Sequence, residues 1–237
     1  MNLLVALLIT IVSTLLMFTI SHISKKQRFI QTGRTYLDFQ LSYQSLFLIL
    51  AMVILAILYI FYPQNLIHFL KIGNIEAPAK SEPYLGIGLD ENWLSLGLNL
   101  TFFITFITAI FVYIQLKKES IFIGVIKPYI VWILLFSLMN AFSEEVVYRL
   151  GVIVPLYEDF DYHIILLLSA LLFGLAHFRG MPNGVVGILM ATVLGYIMAK
   201  SVLETEGIFW AWFIHFVQDI VVISALFLFD IKRRKNS

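Results

Sequence analysis

The chain has 237 residues, of which 60% are hydrophobic and only 13% are charged, and its mean hydropathy is +0.92. This composition excludes an ordinary soluble domain and predicts an all-α, polytopic membrane protein. A net charge of +1 gives no indication of a nucleic-acid partner, and the absence of cysteine excludes disulfides, thiolate metal sites and cysteine nucleophiles.

Seven apolar segments are long enough to cross about 30 Å of hydrocarbon at 1.5 Å per residue. They cover residues 2–20, 42–62, 93–116, 128–157, 162–179, 184–203 and 207–230. The first lacks the basic n-region and A-x-A site of a signal peptide, so we predict a retained span. The fourth is too long for one perpendicular crossing. We expect it to tilt, to break near residues 151–155 or to include an interfacial turn.

Lysine and arginine are concentrated in alternate connections, which predicts the orientation in the membrane. They follow the first and third spans and form the basic tail Lys232, Arg233, Arg234 and Lys235. The positive-inside rule then places the N-terminus outside and the C-terminus in the cytosol. The long polar connection at 63–92 is therefore extracytoplasmic, and its prolines argue against regular structure.

Two further patterns concern packing and the membrane interface. Small residues recur every four positions in the sixth span, at Gly187, Ala191 and Gly195, so this helix is expected to pack closely against another. Aromatic rings near span ends are expected at the interface between membrane and water. These are Trp93, Tyr129, Trp132, Trp210 and Trp212.

Three formal charges lie inside the fourth span, at Glu144, Glu145 and Arg149. A carboxylate at membrane depth costs roughly 2.5 to 3.5 kcal/mol on insertion scales. Glu145 and Arg149 stand four residues apart on one helix face and are expected to form a structural pair. Glu144 lies about 100° further round the helix, where this arginine cannot readily neutralise it. Glu144 is therefore the candidate for chemistry.

The fifth and seventh spans carry two more polar pairs, each four residues apart. Phe173 and His177 end the fifth span, and His215 and Asp219 lie inside the seventh. His177 alone could simply make a hydrogen bond to another helix, and His215 and Asp219 could pair with each other within their own helix. Local contacts do not explain all of these groups together, because ionisable residues in membranes usually face a shared interior. We therefore predict one polar site built from the fourth, fifth and seventh spans.

The motifs Glu144-Glu145-x-x-x-Arg149, Phe173-x-x-x-His177 and His215-x-x-x-Asp219, in this order, resemble the CPBP family. That family comprises the type II CAAX prenyl endopeptidases and their bacterial relatives, also called the CAAX protease/bacteriocin-processing or Abi family. The resemblance covers about the last 110 residues. It implies N-terminal helices and an extracytoplasmic loop over 1–126, followed by a catalytic core of the last four spans and a basic tail over 127–237.

The resemblance also implies a role for each motif residue. Glu144 would activate water, His177 would position it, and His215 with Asp219 would stabilise the oxyanion, with Glu145, Arg149 and Phe173 as support. The prenyl-endopeptidase branch has asparagine at the position of Asp219. Since an ionised carboxylate cannot donate a hydrogen bond, Asp219 would instead fix the tautomer of a neighbouring histidine or stay protonated.

A metal site is the alternative chemistry for the same side chains. Glu144, His177, His215 and Asp219 are all reasonable Zn²⁺ ligands. The helix-borne H-E-x-x-H signature of zinc peptidases is absent from the sequence. We therefore favour metal-free catalysis by glutamate and predict no cofactor.

The function predicted from these residues is that of an intramembrane endopeptidase. Its partners would be the bilayer and a membrane-associated peptide or protein, such as a bacteriocin leader, a pheromone precursor or a lipidated tail. The short hydrophobic loops and basic tail favour a bacterial cytoplasmic membrane. Two alternatives stay open: an ion-coupled carrier that uses Glu144 and Asp219, although no inverted repeat is visible, and a non-proteolytic immunity or scaffold protein.

Overall fold

The computed structural model of the chain describes residues 1–118, 123–180, 182 and 184–235. Within these residues, seven helical segments are long and apolar enough to cross a membrane. They cover Asn2–Lys26, Thr35–Phe61, Trp93–Lys117, Gly124–Leu156, Tyr162–Arg179, Gly184–Thr205 and Phe209–Arg233. The all-helical fold and the seven predicted spans are confirmed, and the chain is a multi-pass membrane protein.

Nine α-helices can be assigned in the described part of the chain, some of them sharing one span. They are α1 (Asn2–Lys26), α2 (Thr35–Phe61), α3 (Pro63–Phe69), α4 (Trp93–Lys118), α5 (Ile130–Glu145), α6 (Gly151–Leu156), α7 (Tyr162–Ala176), α8 (Gly184–Thr205) and α9 (Phe209–Lys235). Short 3₁₀ turns cover Pro83–Leu85, Ile123–Tyr129 and His177–Arg179.

The fourth span stays helical throughout and contains a widened turn. A π-helix over Val146–Leu150 joins α5 to α6 without interruption. Pro155 lies inside α6 and does not end it. A break near residues 151–155 was one of the expected outcomes. The structure instead has a π turn directly before these residues, and the helix continues through them.

The sixth span, α8, packs closely against α7, as its stripe of small residues predicts. A Cβ atom added at Gly174 of α7 would collide with Thr192 Oγ1 of α8. One added at Gly195 of α8 would lie 3.1 Å from both Ala170 Cα and Phe173 Cδ1. Because these contacts leave no room for larger side chains, they fix the position of Phe173 and of the turn that follows α7.

The first two helices pack against the fourth span, α1 on α6 and α2 on α5. One apolar cluster accordingly joins both ends of the chain, including Ala6, Phe47, Val146, Leu166 and Ile214. The predicted division between residues 126 and 127 stays a prediction, and the two parts share this core.

The connection at 63–92 is more regular than its prolines suggested, which corrects that expectation. Pro63 is the first residue of α3, a position where the missing N–H is not needed. Pro83 begins a 3₁₀ turn in the same way. The connection covers Trp93 and Trp210, which are 0% and 2% exposed in one apolar cluster. These two tryptophans are buried within the protein, so their rings do not face the headgroup region as anchors in the way their positions near span ends suggested.

A buried ionic cluster holds this connection on the helix bundle. The Lys200 ammonium lies 2.7 Å from Glu204 Oε1 and 3.3 Å from Glu82 Oε1. Trp93 Nε1 donates a hydrogen bond to the other oxygen of Glu204 at 2.9 Å. Glu82 belongs to the connection and the other three residues to α4 and α8, so the cluster ties these segments together.

The orientation of the bundle is a testable prediction of the charge pattern. We expect alkaline phosphatase fused within residues 63–92 to be active outside the cell, and a fluorescent protein fused after residue 235 to fold in the cytosol. The side chains of Arg234 and Lys235, which belong to the basic tail, lie outside the described part of the chain. A phosphatase-active tail would contradict the predicted orientation.

Candidate active site

Four ionisable side chains from three spans meet at one point inside the bundle. Glu144 lies near the end of α5, His177 begins the turn after α7, and His215 and Asp219 lie one turn apart on α9. The Nε2 atoms of His177 and His215 each lie 3.8 Å from Glu144 Oε2. His215 Nε2 also lies 3.8 Å from Asp219 Oδ2. The structure thus brings together all four residues that the sequence singles out.

The two carboxylate oxygens of Glu144 have different surroundings. Oε1 accepts a hydrogen bond from Asn140 Nδ2 at 3.1 Å. Oε2 is buried and has no hydrogen-bond partner among the described residues. A buried carboxylate oxygen without a partner is costly. Oε2 is therefore the atom in this site that most needs a proton donor, such as a water molecule or a substrate group.

The His177 ring has one nitrogen on the backbone and one on Glu144. Nδ1 lies 2.8 Å from the carbonyl oxygen of Phe173. A carbonyl can only accept a hydrogen bond, so Nδ1 carries a proton, and the neutral ring presents a lone pair at Nε2. The His177 side chain is 30% exposed, whereas those of Glu144 and His215 are 11% and 5% exposed. The site is therefore most accessible from the His177 side.

Glu145 makes two contacts, of which the sequence indicated only one. Its Oε2 forms the expected ion pair with Arg149, with 2.9 Å to Nε, and both side chains are fully buried. Its Oε1 accepts a hydrogen bond from His215 Nδ1 at 2.8 Å. Nδ1 of His215 therefore carries a proton, which it donates to Glu145. The ring has a second N–H, at Nε2 facing Glu144, only when it is protonated to the imidazolium.

The π turn lies directly after the two glutamates and carries Arg149. Such turns occur often at functional sites, because the wider helix displaces the residues around it. A hydroxyl from α7 supports this one, since Ser169 Oγ donates a hydrogen bond to the Tyr148 carbonyl at 2.7 Å. The Tyr148 hydroxyl in turn lies 2.8 Å from Thr14 Oγ1 on α1. The turn is thus held from two neighbouring helices.

Phe173 packs against three of the motif residues at once. The guanidinium carbon of Arg149 lies 4.2 Å from the centre of its ring. The rings of His177 and His215 lie with their centres 4.3 and 5.9 Å from that of Phe173. A cation over an aromatic face is stabilised, and a fully packed ring limits the rotation of its neighbours. Phe173 therefore lies in contact with all three side chains and limits how their rings and guanidinium can rotate.

Asn140 is a site residue that the sequence reasoning missed. Its Nδ2 donates hydrogen bonds to Glu144 Oε1 at 3.1 Å and to Asp219 Oδ2 at 3.0 Å. The Asn140 amide therefore fixes the carboxylates of Glu144 and Asp219 relative to each other. The available signal was its spacing, since Asn140 stands four residues before Glu144 on the same helix face.

A row of polar side chains on α2 leads to Asn140 and was also missed. Gln44 Nε2 lies 3.5 Å from Asn140 Oδ1 and 3.4 Å from Gln40 Oε1. Gln40 Nε2 donates to the Tyr36 hydroxyl at 2.7 Å. These residues recur every four positions, which indicates one helix face. The second span was expected to begin at residue 42, so two of these three residues, Tyr36 and Gln40, lay outside it.

The same side chains do not form a metal site as they stand. Within the described residues, no group of three or more histidine, aspartate and glutamate side chains is arranged so that it could hold a metal ion. Nδ1 of His215 is hydrogen-bonded to Glu145 and Nδ1 of His177 to the Phe173 carbonyl, which leaves Nε2 of both rings free. Hydrogen bonds of this kind are also usual for metal-ligating histidines. The alternative in which Glu144, His177, His215 and Asp219 bind Zn²⁺ therefore stays open, and the experiment described below tests it.

Comparison with known families places this site inside a recognised domain. Residues 126–221 match the family model described as type II CAAX prenyl endopeptidase, Rce1-like. All seven motif residues from Glu144 to Asp219 fall within the matched segment. Neither the curated proteins nor the solved structures include a match to the chain.

Proposed function

Because residues 126–221 form a domain of the Rce1-like type II CAAX prenyl endopeptidase (CPBP) family, we propose that the chain is an intramembrane endopeptidase in which Glu144 activates water. The observation that carries this proposal is the environment of Glu144 Oε2. It is buried, it has no hydrogen-bond partner among the described residues, and it lies 3.8 Å from Nε2 of two histidines. A general base needs this combination of a free lone pair and nearby polar groups that can hold a water molecule.

The hydrogen bonds of a water molecule at this position can be counted. Placed about 2.8 Å from the three atoms, it would face Glu144 Oε2, His177 Nε2 and His215 Nε2. If both histidines were neutral, three acceptors would compete for two water protons. If His215 is the imidazolium, the water donates to Glu144 and His177 and accepts from His215, and every bond is made. Glu145, which lies at Nδ1 of the His215 ring, stabilises the positive charge of this imidazolium.

The hydrolytic step then follows from these positions. Glu144 takes a proton from the water molecule, and the oxygen of that water attacks the carbonyl carbon of the scissile bond. The oxyanion that forms accepts a hydrogen bond from His215 Nε2–H, in a buried site where such a donor is most effective. When the C–N bond breaks, Glu144 returns the proton to the leaving amine, so that no proton is gained or lost over the cycle.

Asp219 is proposed to orient this constellation and not to bind a metal. Its Oδ2 accepts from Asn140 at 3.0 Å and lies 3.8 Å from His215 Nε2. We expect Asp219→Asn to retain activity within about tenfold of the wild type, a loss of no more than roughly 1.4 kcal/mol, because the amide has nearly the same shape as the carboxylate and its oxygen still accepts from Asn140 Nδ2. The measurement is turnover of purified protein on one cleavable peptide, with and without a chelator.

A metal ligand at this position would give a different result. Replacing an anionic oxygen donor by a neutral amide weakens metal binding strongly. Activity of Asp219→Asn would then fall steeply and recover partly with excess Zn²⁺. Chelator-sensitive activity of the wild type that only a divalent metal restores would overturn the metal-free mechanism.

The function itself is tested by comparing membrane peptides from cells that contain the wild type or Glu144→Gln. We expect at least one membrane-associated precursor to accumulate uncut in the variant, at equal protein level. Glu158→Gln is the matched control, because Glu158 lies exposed in the turn after α6. Peptide profiles that do not differ between the wild type and Glu144→Gln would contradict proteolysis and favour the carrier or scaffold alternatives.

The substrate is proposed as a class. A site that lies between membrane spans suits a peptide bond that the bilayer itself presents, such as that of a bacteriocin leader, a pheromone precursor or a lipidated tail. A bacterial cytoplasmic membrane is the proposed location. The peptide that accumulates in the Glu144→Gln cells identifies which of these is cleaved.

A further inference from the structure

A half-open cavity with both charged and apolar lining lies away from the candidate active site. It has a volume of about 360 Å³ and opens where α1 and α9 end and α2 begins. Asp230, one of its lining residues, is three turns further along α9 than Asp219, which is about 16 Å at 1.5 Å per residue. The proposed hydrolysis uses no residue of this cavity.

Positive charge predominates in the lining. Lys25 and Arg28 come from the end of α1 and the segment after it, and Arg233 comes from the last turns of α9. Asp230 is the one carboxylate beside these three cations among the lining residues. The Lys25 ammonium lies 5.8 Å from the centre of the Phe39 ring, on the wall of the cavity. The cavity therefore favours an anion.

Most of the remaining lining is apolar, apart from the hydroxyl groups of Thr35 and Tyr36. Phe39 on α2 and Leu226 and Phe229 on α9 line the side that faces along the helices, and all three are partly exposed. Cations thus stand at the helix ends, and rings and aliphatic groups continue into the spans. A soluble anion such as phosphate would use only the first half of this surface, whereas a phospholipid would use both.

We propose that this cavity binds the headgroup of an anionic phospholipid, with an acyl chain along Phe39 and Phe229. Basic pockets between the ends of membrane helices suit such headgroups, because charge attraction and apolar burial act together there. The site requires no particular substrate, so it stands independently of the proposed protease function.

The test is native mass spectrometry of the full-length protein, purified in detergent with equal amounts of phosphatidylglycerol and phosphatidylcholine. The wild type should retain one phosphatidylglycerol per chain in clear preference to phosphatidylcholine. The double variant Arg28→Gln/Arg233→Gln should lose about 25-fold of that preference, roughly fivefold for each cation near an anionic headgroup. Thermal unfolding of the variant in detergent verifies that it is folded.

The matched control is Lys117→Gln/Lys127→Gln, which removes the same charge from two exposed residues outside the cavity. It should keep the preference of the wild type. Equal loss in both double variants would overturn the proposal, because it would reflect net charge and not this cavity. Displacement of the lipid from the wild type by millimolar inorganic phosphate would also overturn it, in favour of a free-anion site.

Discussion

Glu144→Gln is expected to lower peptide hydrolysis by about 10²- to 10⁴-fold, the usual contribution of a general base, while the protein still accumulates and folds. The amide has nearly the same shape as the carboxylate, and its oxygen can still accept the hydrogen bond from Asn140 Nδ2. Its NH₂ group would then point at the histidine Nε2 atoms, where it cannot take a proton from water. The measurement is turnover of purified protein on a cleavable peptide.

The control for this experiment is the same chemical change outside the site. Glu158→Gln should retain wild-type turnover, since Glu158 is exposed. Abundance in membranes and thermal unfolding in detergent should be equal for the two variants and the wild type. If purified Glu144→Gln retained activity within tenfold of the wild type, another group would have to be the base.

Most of the features that could be predicted from the sequence are those that one helix shows by itself. Seven spans follow from hydropathy, because lipid requires a continuous apolar surface and an internally bonded backbone. The pairs Glu145–Arg149 and His215–Asp219 follow from a spacing of four residues on one helix. The convergence of the three motifs could be expected on energetic grounds, because ionisable groups inside a membrane need a common polar interior.

The features that could not be predicted depend on contacts between helices. The hydrogen bond from His215 to Glu145 joins α9 to α5, and nothing in either motif indicates it. Gln44 reaches Asn140 from α2, which carries no motif. Trp93 resembles an interfacial residue in sequence, and only the covering connection at 63–92 makes it buried. To predict such contacts, one must know how whole helices are rotated relative to one another, and hydropathy carries no information about that rotation.

The buried pair Glu145–Arg149 is expected to have the largest effect on stability. Both side chains are fully buried, and removal of one partner from such a pair leaves an uncompensated charge at a cost of about 3–5 kcal/mol. We expect Glu145→Gln and Arg149→Met each to lower the amount of folded protein strongly. Membrane abundance and thermal unfolding in detergent measure this loss, and a single variant as stable as the wild type would contradict it.

The double variant Glu145→Gln/Arg149→Met separates the stability of the pair from its effect on His215. With both charges removed, most of the lost stability should return, because replacing a whole buried ion pair is often nearly neutral. The amide oxygen of the new glutamine could still accept from His215 Nδ1, but no anion would then stabilise the imidazolium. Turnover per folded molecule should therefore stay lower by about tenfold, the difference between a charged and a neutral hydrogen bond. Recovery of turnover together with stability would mean that Glu145 acts only through Arg149, and that His215 does not need its charge.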